Sequence, residues 1–273
     1  MGEYINPESR LAGRFWDDGK IEGCPVYDFH GHMHEMPGGF INAGRPEQML
    51  ATMERAGIKR FIFCSHLALF ASAAGESANL GPIKKYGGPL RAYMAVRSYD
   101  LDFDRDIKLF EANEDCYAGF KFLTGYFNVP VDSPLHEPYW EYANAKKLIC
   151  LSHTWDGSKN DGPENLRAVA DKYPDVTLVC GHSFKRNWDA AIKLANEFPN
   201  IYLELTAVLS ERGALEKLVA GAGSEKILFG CDLPWFSTFY YIGCLLDAEI
   251  SDDDRLNILH KNGEKLLARF NWA

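Results

Sequence analysis

The stretch VYDFHGHMHEM, residues 26–36, decides the fold. It starts as an apolar run typical of a buried strand and ends in three histidines at alternate positions, His30, His32 and His34. An open doubly wound sheet normally has a glycine-rich phosphate-binding turn after its first strand. Histidines occupy that turn here, so the stretch argues against a nucleotide-binding sheet and predicts a polar site at the end of the first strand.

Apolar runs like this one recur along the chain. The eight runs are PVYDFH (25–30), RFIFCSH (60–66), LRAYMAV (90–96), CYAGFKFL (116–123), KLICLSH (147–153), VTLVCGH (176–182), NIYLELT (200–206) and KILFGCD (226–232). Continuous apolar runs, rather than alternating ones, predict strands covered on both faces, as in a parallel sheet.

Segments with helical periodicity or helix-forming composition separate most of these runs. The clearest lie at 46–58, 163–174, 187–199, 212–223 and 251–270. Eight strands that alternate with helices predict an α/β protein of the (β/α)8 TIM-barrel class, with residues 1–273 as a single catalytic domain. The segment 65–89 is long and rich in small residues, and it is predicted to be a lid-like loop.

Composition and charge disfavour several function classes. The chain has 273 residues and a formal net charge of -9, whereas a nucleic-acid-binding protein is usually basic. No signal-peptide pattern and no run of about 18 apolar residues is visible, so we expect a cytoplasmic protein without a membrane span. No dinucleotide-binding turn or cysteine pair supports a redox function.

Ionisable residues stand at or near the ends of five predicted strands. They are His30 and His32 (first strand), Lys121 (fourth), His153 (fifth), His182 (sixth) and Asp232 (eighth). In a barrel these carboxyl ends face one mouth, where active sites are built. His30 and His32 share a face, and with His153 and Asp232 they make a nitrogen and oxygen set that suits Zn²⁺, Mn²⁺, Fe²⁺ or Co²⁺.

Other polar residues near these strand ends have simpler interpretations. We interpret His66 as a packing residue rather than a ligand, and His34 as a loop residue. Asp28 lies within the first strand and either orients a ligand or caps a neighbouring loop. His136 and His260 are predicted to lie at the surface.

Six motifs in chain order resemble the amidohydrolase superfamily, specifically its amidohydrolase-related branch of TIM-barrel hydrolases and decarboxylases. They are YDFHGH, AGFKFL, LICLSHTWDG, DKYPDVTLVCGHSF, ILFGCDLPW and HKNGEKLL, and together they run from about residue 26 to residue 270. In the fifth of these motifs, Cys231 stands where the family usually has serine.

The resemblance implies a metal ion held by His30, His32, His153 and Asp232. It makes His182 either a ligand of a second metal or, in a mononuclear enzyme, a proton shuttle. The lysine equivalent to Lys121 bridges two metals as a carboxylated residue in binuclear relatives, and only lines the pocket in many members of this branch. We expect one ion, most simply Zn²⁺, rather than two.

The expected function is hydrolysis of a small-molecule amide, ester or lactone, with or without a carboxylate, by metal-activated water. Asp232 and His182 are the predicted catalytic residues, and Arg97, Trp155 and Trp235 the predicted substrate contacts. The alternative is a metal-dependent decarboxylase acting on a carboxylated aromatic or muconate-like substrate. A metal-binding domain without turnover is less favoured, because structural zinc sites commonly use cysteine. The sequence does not determine the oligomeric state, and a homodimer is suggested only by analogy with relatives.

Overall fold

A computed structural model describes residues 9–21, 23–36, 39, 41–71, 73–270 and 272. All eight predicted strands form, and they pair in chain order as one parallel sheet. The strands are β1 (Val26–Gly31), β2 (Ile58–Phe63), β3 (Leu90–Val96), β4 (Tyr117–Phe122), β5 (Ile149–Trp155), β6 (Thr177–Lys185), β7 (Ile201–Glu204) and β8 (Ile227–Leu228).

Helices lie between the strands and cover the outside of the sheet. They are α1 (Arg10–Asp18), α2 (Pro46–Ala56), α3 (His66–Phe70), α4 (Ser77–Tyr86), α5 (Phe103–Glu111), α6 (Thr124–Phe127), α7 (Glu137–Ala145), α8 (Pro163–Lys172), α9 (Trp188–Glu197), α10 (Ala214–Ala222), α11 (Thr238–Asp247), α12 (Asp252–Leu256) and α13 (Asn262–Leu267). A π-helical turn, Asn257–Lys261, joins α12 to α13. The architecture is the predicted TIM barrel.

The seam between the first and last strands closes without a regular ladder. β8 has only two residues, although the sequence predicted a strand over 226–232. Instead, the main chain after β8 bonds to β1: Asp232 N donates to His30 O (2.8 Å) and His32 N donates to Leu233 O (2.7 Å). Asp232 has a φ of 55°, which a continuing strand does not adopt, so the predicted strand ends early. The side chain of Asp232 lines the cavity at the mouth of the barrel.

Two hydrophobic cores follow from the alternation of side chains along the strands. On β3, Ala92 and Met94 pack outward against the helices, whereas Tyr93 and Ala95 belong to a separate cluster inside the barrel. Burial on both faces explains why the strands are continuous apolar runs. Polar side chains at the strand ends therefore stand out against an apolar interior.

Two sequence predictions outside the site are wrong. Much of segment 65–89 is regular structure rather than a loop, because α3 and α4 occupy it and Asn79 anchors it to the sheet, accepting from Ser65 N (2.7 Å) and donating to Tyr93 O (3.1 Å). His136 is fully buried, with Nδ1 donating to Pro130 O (3.0 Å).

Within the part of the chain that the structure describes, no helix combines the length and the apolar character that crossing a bilayer requires.

Candidate metal centre

The strand-end residues converge on a cavity at the carboxyl-terminal mouth of the barrel. The cavity has a volume of about 310 Å³. Its polar lining residues are His30, His32, His66, Lys121, His153, His182 and Asp232. Aromatic residues, including Trp155 and Trp235, line much of the remainder. The structure thus brings together every predicted ligand and catalytic residue.

Three of these residues form a compact set of metal-ligating atoms. Asp232 Oδ1 lies 3.1 Å from His32 Nε2 and 3.6 Å from His30 Nε2. The ligand atoms of His30, His32 and Asp232 all lie within 4.8 Å of one another, and all three residues are buried. Such a set suits a divalent cation bound by imidazole and carboxylate.

The contacts of Nδ1 in the cavity histidines determine which ring nitrogen carries the proton. In five histidines of the cavity, Nδ1 lies within hydrogen-bond distance of an oxygen acceptor. The pairs are His30 with Glu204 (2.8 Å), His32 with Cys64 O (2.7 Å), His66 with His34 O (2.9 Å), His153 with Asp161 (2.8 Å) and His182 with Thr206 O (3.3 Å). A carbonyl or carboxylate oxygen only accepts, so Nδ1 carries the proton and Nε2 keeps its lone pair.

The set is therefore incomplete without a cation. Asp232 Oδ1 is buried and has no hydrogen-bond donor among the described residues, while the nearby Nε2 atom of His32 presents a lone pair. A buried carboxylate oxygen beside an imidazole lone pair is costly unless a positive ion satisfies both. The residues present fit the divalent metal that the sequence analysis expected.

Burial keeps the imidazoles of His30 and His182 neutral, which is the form that binds a metal. It holds the pKa of His30 well below its usual value, and the Lys121 amine acts in the same direction. Burial also holds the pKa of His182 well below its usual value, with His153 the next contributor.

A family model described as amidohydrolase matches residues 27–269, nearly the whole chain. The chain belongs to the amidohydrolase family. The match covers all of β1 but its first residue and the whole of the other seven strands, so the barrel and the site lie within the matched region. A comparison with curated proteins finds no match.

Solved structures similar to this amidohydrolase-family chain include an uncharacterised TIM-barrel protein and two decarboxylases. An uncharacterised TIM-barrel protein of Bordetella bronchiseptica is 19% identical, with a TM-score of 0.73 over 89% of this chain and 98% of the other. A 2,6-dihydroxybenzoate decarboxylase is 15% identical, with a TM-score of 0.73 over 91% and 99%. A 5-carboxyvanillate decarboxylase of Novosphingobium aromaticivorans, complexed with manganese, is 11% identical, with a TM-score of 0.68 over 90% and 96%. At these identities the likeness establishes the fold.

His153 lies in the cavity but outside the compact set. Its ring centroid is 4.8 Å from that of His182, and its Nδ1 is held by Asp161. The ligand role predicted for His153 therefore stays a prediction.

Replacement of His153 tests that role in this amidohydrolase-family chain. We expect His153→Ala to weaken metal binding by at least the roughly 10–100-fold seen when a ligand's supporting partner is lost. Competition against a chelator of known affinity measures the change. An unchanged metal affinity would mean that His153 only lines the cavity. His260→Ala, at a histidine outside the cavity, is the matched control.

Lys121 is buried and donates a hydrogen bond to His30 Nε2 (3.0 Å). Burial lowers its pKa, although the Asp232 carboxylate opposes this. The bond uses the same lone pair with which His30 would bind an ion. Binding of an ion by His30 would therefore require this contact to open.

The aromatic substrate candidates lie where the sequence predicted, at the mouth. Trp155 stacks on His153, with centroids 5.8 Å apart and planes 10° apart, and meets His182 edge-on. Trp235 Nε1 donates to His66 Nε2 (2.9 Å). That bond occupies the free nitrogen of His66, so His66 is a packing residue in this arrangement.

Arg97 is placed elsewhere, and the substrate contact predicted for it is not supported. Its side chain is buried behind the cavity wall, where it donates to Glu76 Oε1 (2.9 Å), Ala68 O (3.3 Å) and Ala95 O (3.1 Å). The sequence shows an arginine one residue beyond a strand end, but not that two buried acidic residues, Glu76 and Asp106, surround it.

Sequence reasoning missed two carboxylates that support the centre, Glu204 and Asp161. Each accepts from the Nδ1 of a cavity histidine, and each is fully buried. Glu204 had a detectable signal, because it interrupts the apolar run NIYLELT. Asp161 had none, since it lies in a long polar loop after the fifth strand.

Asp28 joins the two sides of the seam. Its Oδ1 accepts from His30 N (3.0 Å) and its Oδ2 accepts from Cys231 Sγ (2.8 Å). Burial raises the pKa of Asp28 to about 8. The thiol of Cys231 thus serves as a hydrogen-bond donor at this position.

Proposed function

We propose that this chain is a metal-dependent hydrolase of a small molecule, with one divalent ion held by His30, His32, Asp232 and His153. Zn²⁺ is the metal we favour, because it accepts three imidazoles and a carboxylate. The observation that carries the proposal is the buried Oδ1 of Asp232, which has no hydrogen-bond donor among the described residues and faces the Nε2 lone pair of His32. When bound, the ion supplies the Lewis acidity that makes water nucleophilic at neutral pH.

Asp232 and His182 would move the protons. Asp232, beside the ligand atoms of His30 and His32, accepts a proton from the attacking water and returns it to the leaving group. His182 enters as a neutral imidazole whose Nδ1 proton is directed at Thr206 O, so its Nε2 acts first as an acceptor. Only after gaining a proton does His182 become a donor to an oxyanion or leaving group.

The charges of the cavity favour hydrolysis. Among the described lining residues Lys121 is the one cation, and no arginine takes part. The chain positions outside the described ranges contain neither lysine nor arginine. A neutral ester, amide or lactone needs no cationic partner beyond the ion, whereas a decarboxylase must also orient a substrate carboxylate.

Decarboxylation is the second candidate, and two observations support it. The mouth is rich in aromatic side chains suited to a planar ring, and the fold resembles that of a 2,6-dihydroxybenzoate decarboxylase. Products distinguish the two reactions. Release of CO2 without net addition of water would replace the hydrolase with a lyase.

Metal removal tests the requirement for a divalent ion, which both candidate functions share. We expect the purified protein to contain about one divalent ion per chain, and chelation to abolish turnover in a screen of lactones, amides, esters and carboxylated aromatics. Elemental analysis and the recovery of activity on adding back Zn²⁺ or Mn²⁺ provide the measurements. Full activity in metal-free protein would contradict the proposal.

A further inference from the structure

Glu204 lies at the last position of β7 and contacts two cavity histidines at once. Its side chain is fully buried. Oε2 accepts from the Nδ1 of His30 (2.8 Å) and from the main-chain N–H of His182 (3.1 Å), and Oε1 accepts from the N–H of Thr206 (2.5 Å). One carboxylate thus connects β1, β6 and the turn after β7.

The backbone around Glu204 is shaped to admit this carboxylate. A Cβ atom on Gly230 would lie 2.0 Å from Glu204 Oε1 and 2.7 Å from its Cδ. Any side chain at residue 230 would therefore displace the carboxylate. The glycine two residues before Asp232 provides the space that Glu204 fills.

His182 depends on the same carboxylate for its backbone conformation. His182, Ser183 and Phe184 have φ values of 69°, 47° and 54°, a left-handed run that non-glycine residues rarely adopt. Such a run persists only when its surroundings fix it. Glu204 Oε2 accepts from His182 N, Glu204 O accepts from Ser183 Oγ (2.8 Å), and Thr154 Oγ1 accepts from Phe184 N (2.9 Å).

Glu204 could itself be considered a ligand, since its carboxylate, His30 and His182 also lie close enough to share an ion. The contacts argue against this. Both oxygens already accept hydrogen bonds, and the Nδ1 of His30 lies at hydrogen-bond distance with no room for an ion between the two atoms.

We infer that Glu204 is the positioning residue of the centre: it fixes the proton of His30 on Nδ1, and it holds the left-handed turn that presents His182. The consequence for metal affinity rests on the proposed function, whereas the His30 tautomer does not. A fixed tautomer matters because a ring with its proton on Nε2 has no lone pair facing Asp232.

Glu204→Leu tests the inference by removing both carboxylate oxygens with little change in side-chain size. The Nδ1–H group of His30 then loses its acceptor, whereas a proton on Nε2 would face Asp232 Oδ1 (3.6 Å). The His30 proton is therefore expected to move from Nδ1 to Nε2. We expect imidazole ¹⁵N NMR of the metal-free variant to show this change for His30, and metal affinity to fall about 10–100-fold.

Glu76→Leu is the matched control, because Glu76 is another buried carboxylate with several donors, namely Arg97, Asn79, Ala95 N and Tyr117. It is expected to lower stability while leaving the His30 tautomer and the metal affinity unchanged. Gly230→Ala is expected to reproduce the Glu204→Leu effects without changing any charge.

Wild-type protein provides a test that needs no variant. Its metal-free spectrum should show the His30 proton on Nδ1, and a proton on Nε2 would overturn the inference. Glu204→Leu protein with the wild-type His30 signal and affinity would do the same. If the wild type took up no metal, the proposed function would fail, and the tautomer result would still decide the role of Glu204.

Discussion

Asp232→Asn is expected to lower kcat/KM about 10²–10⁴-fold, the range found when a general acid–base group is lost. Asparagine keeps the size of the side chain but cannot accept the proton of the attacking water. It also removes the negative charge that lies 3.1 Å from His32 Nε2. Activity on any substrate found in the screen, measured at saturating metal, gives the change.

Two measurements make this result specific. Metal content and thermal unfolding of Asp232→Asn show whether the ion and the fold remain. Asp189→Asn, at an exposed carboxylate on α9 paired with Lys217, is the control and should have wild-type rates. A turnover rate within about tenfold of wild type would remove Asp232 from the chemistry.

Arg97→Leu is expected to destabilise the fold by about 3–5 kcal/mol, the usual result of removing one partner from a buried ion pair. The Arg97 side chain has no solvent exposure, and it lies 2.9 Å from Glu76 and 3.5 Å from Asp106. Leucine would leave both carboxylates buried without that cation. Denaturant unfolding measures the loss, and Arg186→Leu, at an exposed pair with Glu211, should change stability by less than about 1 kcal/mol.

The loss of stability caused by Arg97→Leu should also depend on pH. Burial raises the pKa of Glu76, and Arg97 is the main group that opposes the rise. Without Arg97 the pKa of Glu76 rises further. The folded protein then binds the Glu76 proton more tightly than the unfolded chain does. Stability then falls as pH rises above the unfolded value, and the deficit of Arg97→Leu should be larger at about pH 8 than at about pH 5. An equal deficit at both would contradict this account of Glu76.

The sequence predicted the barrel and the metal set because both depend on local patterns. Uninterrupted apolar runs identify buried parallel strands, and His30, His32, His153, His182 and Asp232 are unusual residues at their ends. Parallel strands in a barrel bring such ends together, whatever their separation in the chain. The meeting of these residues at one mouth of the barrel could therefore be predicted without knowledge of individual contacts.

What the sequence could not predict depends on contacts between distant segments. Arg97 resembles a strand-end substrate contact until Glu76 and Asp106 are seen around its guanidinium. The supporting role of Glu204 requires knowing that Gly230 leaves room for its carboxylate. The tautomers of the cavity histidines could not be predicted from the sequence either, because each is fixed by an oxygen atom on another segment of the chain.

The seam between β1 and the segment after β8 bears on how this protein is made. The Asp28–Cys231 hydrogen bond joins residues 203 positions apart, and the compact ligand set spans the same seam. Pairings this distant in sequence form late, since a long stretch of chain must be ordered first. On the ribosome, the nascent polypeptide can begin to stack its early strands, but the mouth of the barrel stays open until Cys231, Asp232 and Leu233 emerge.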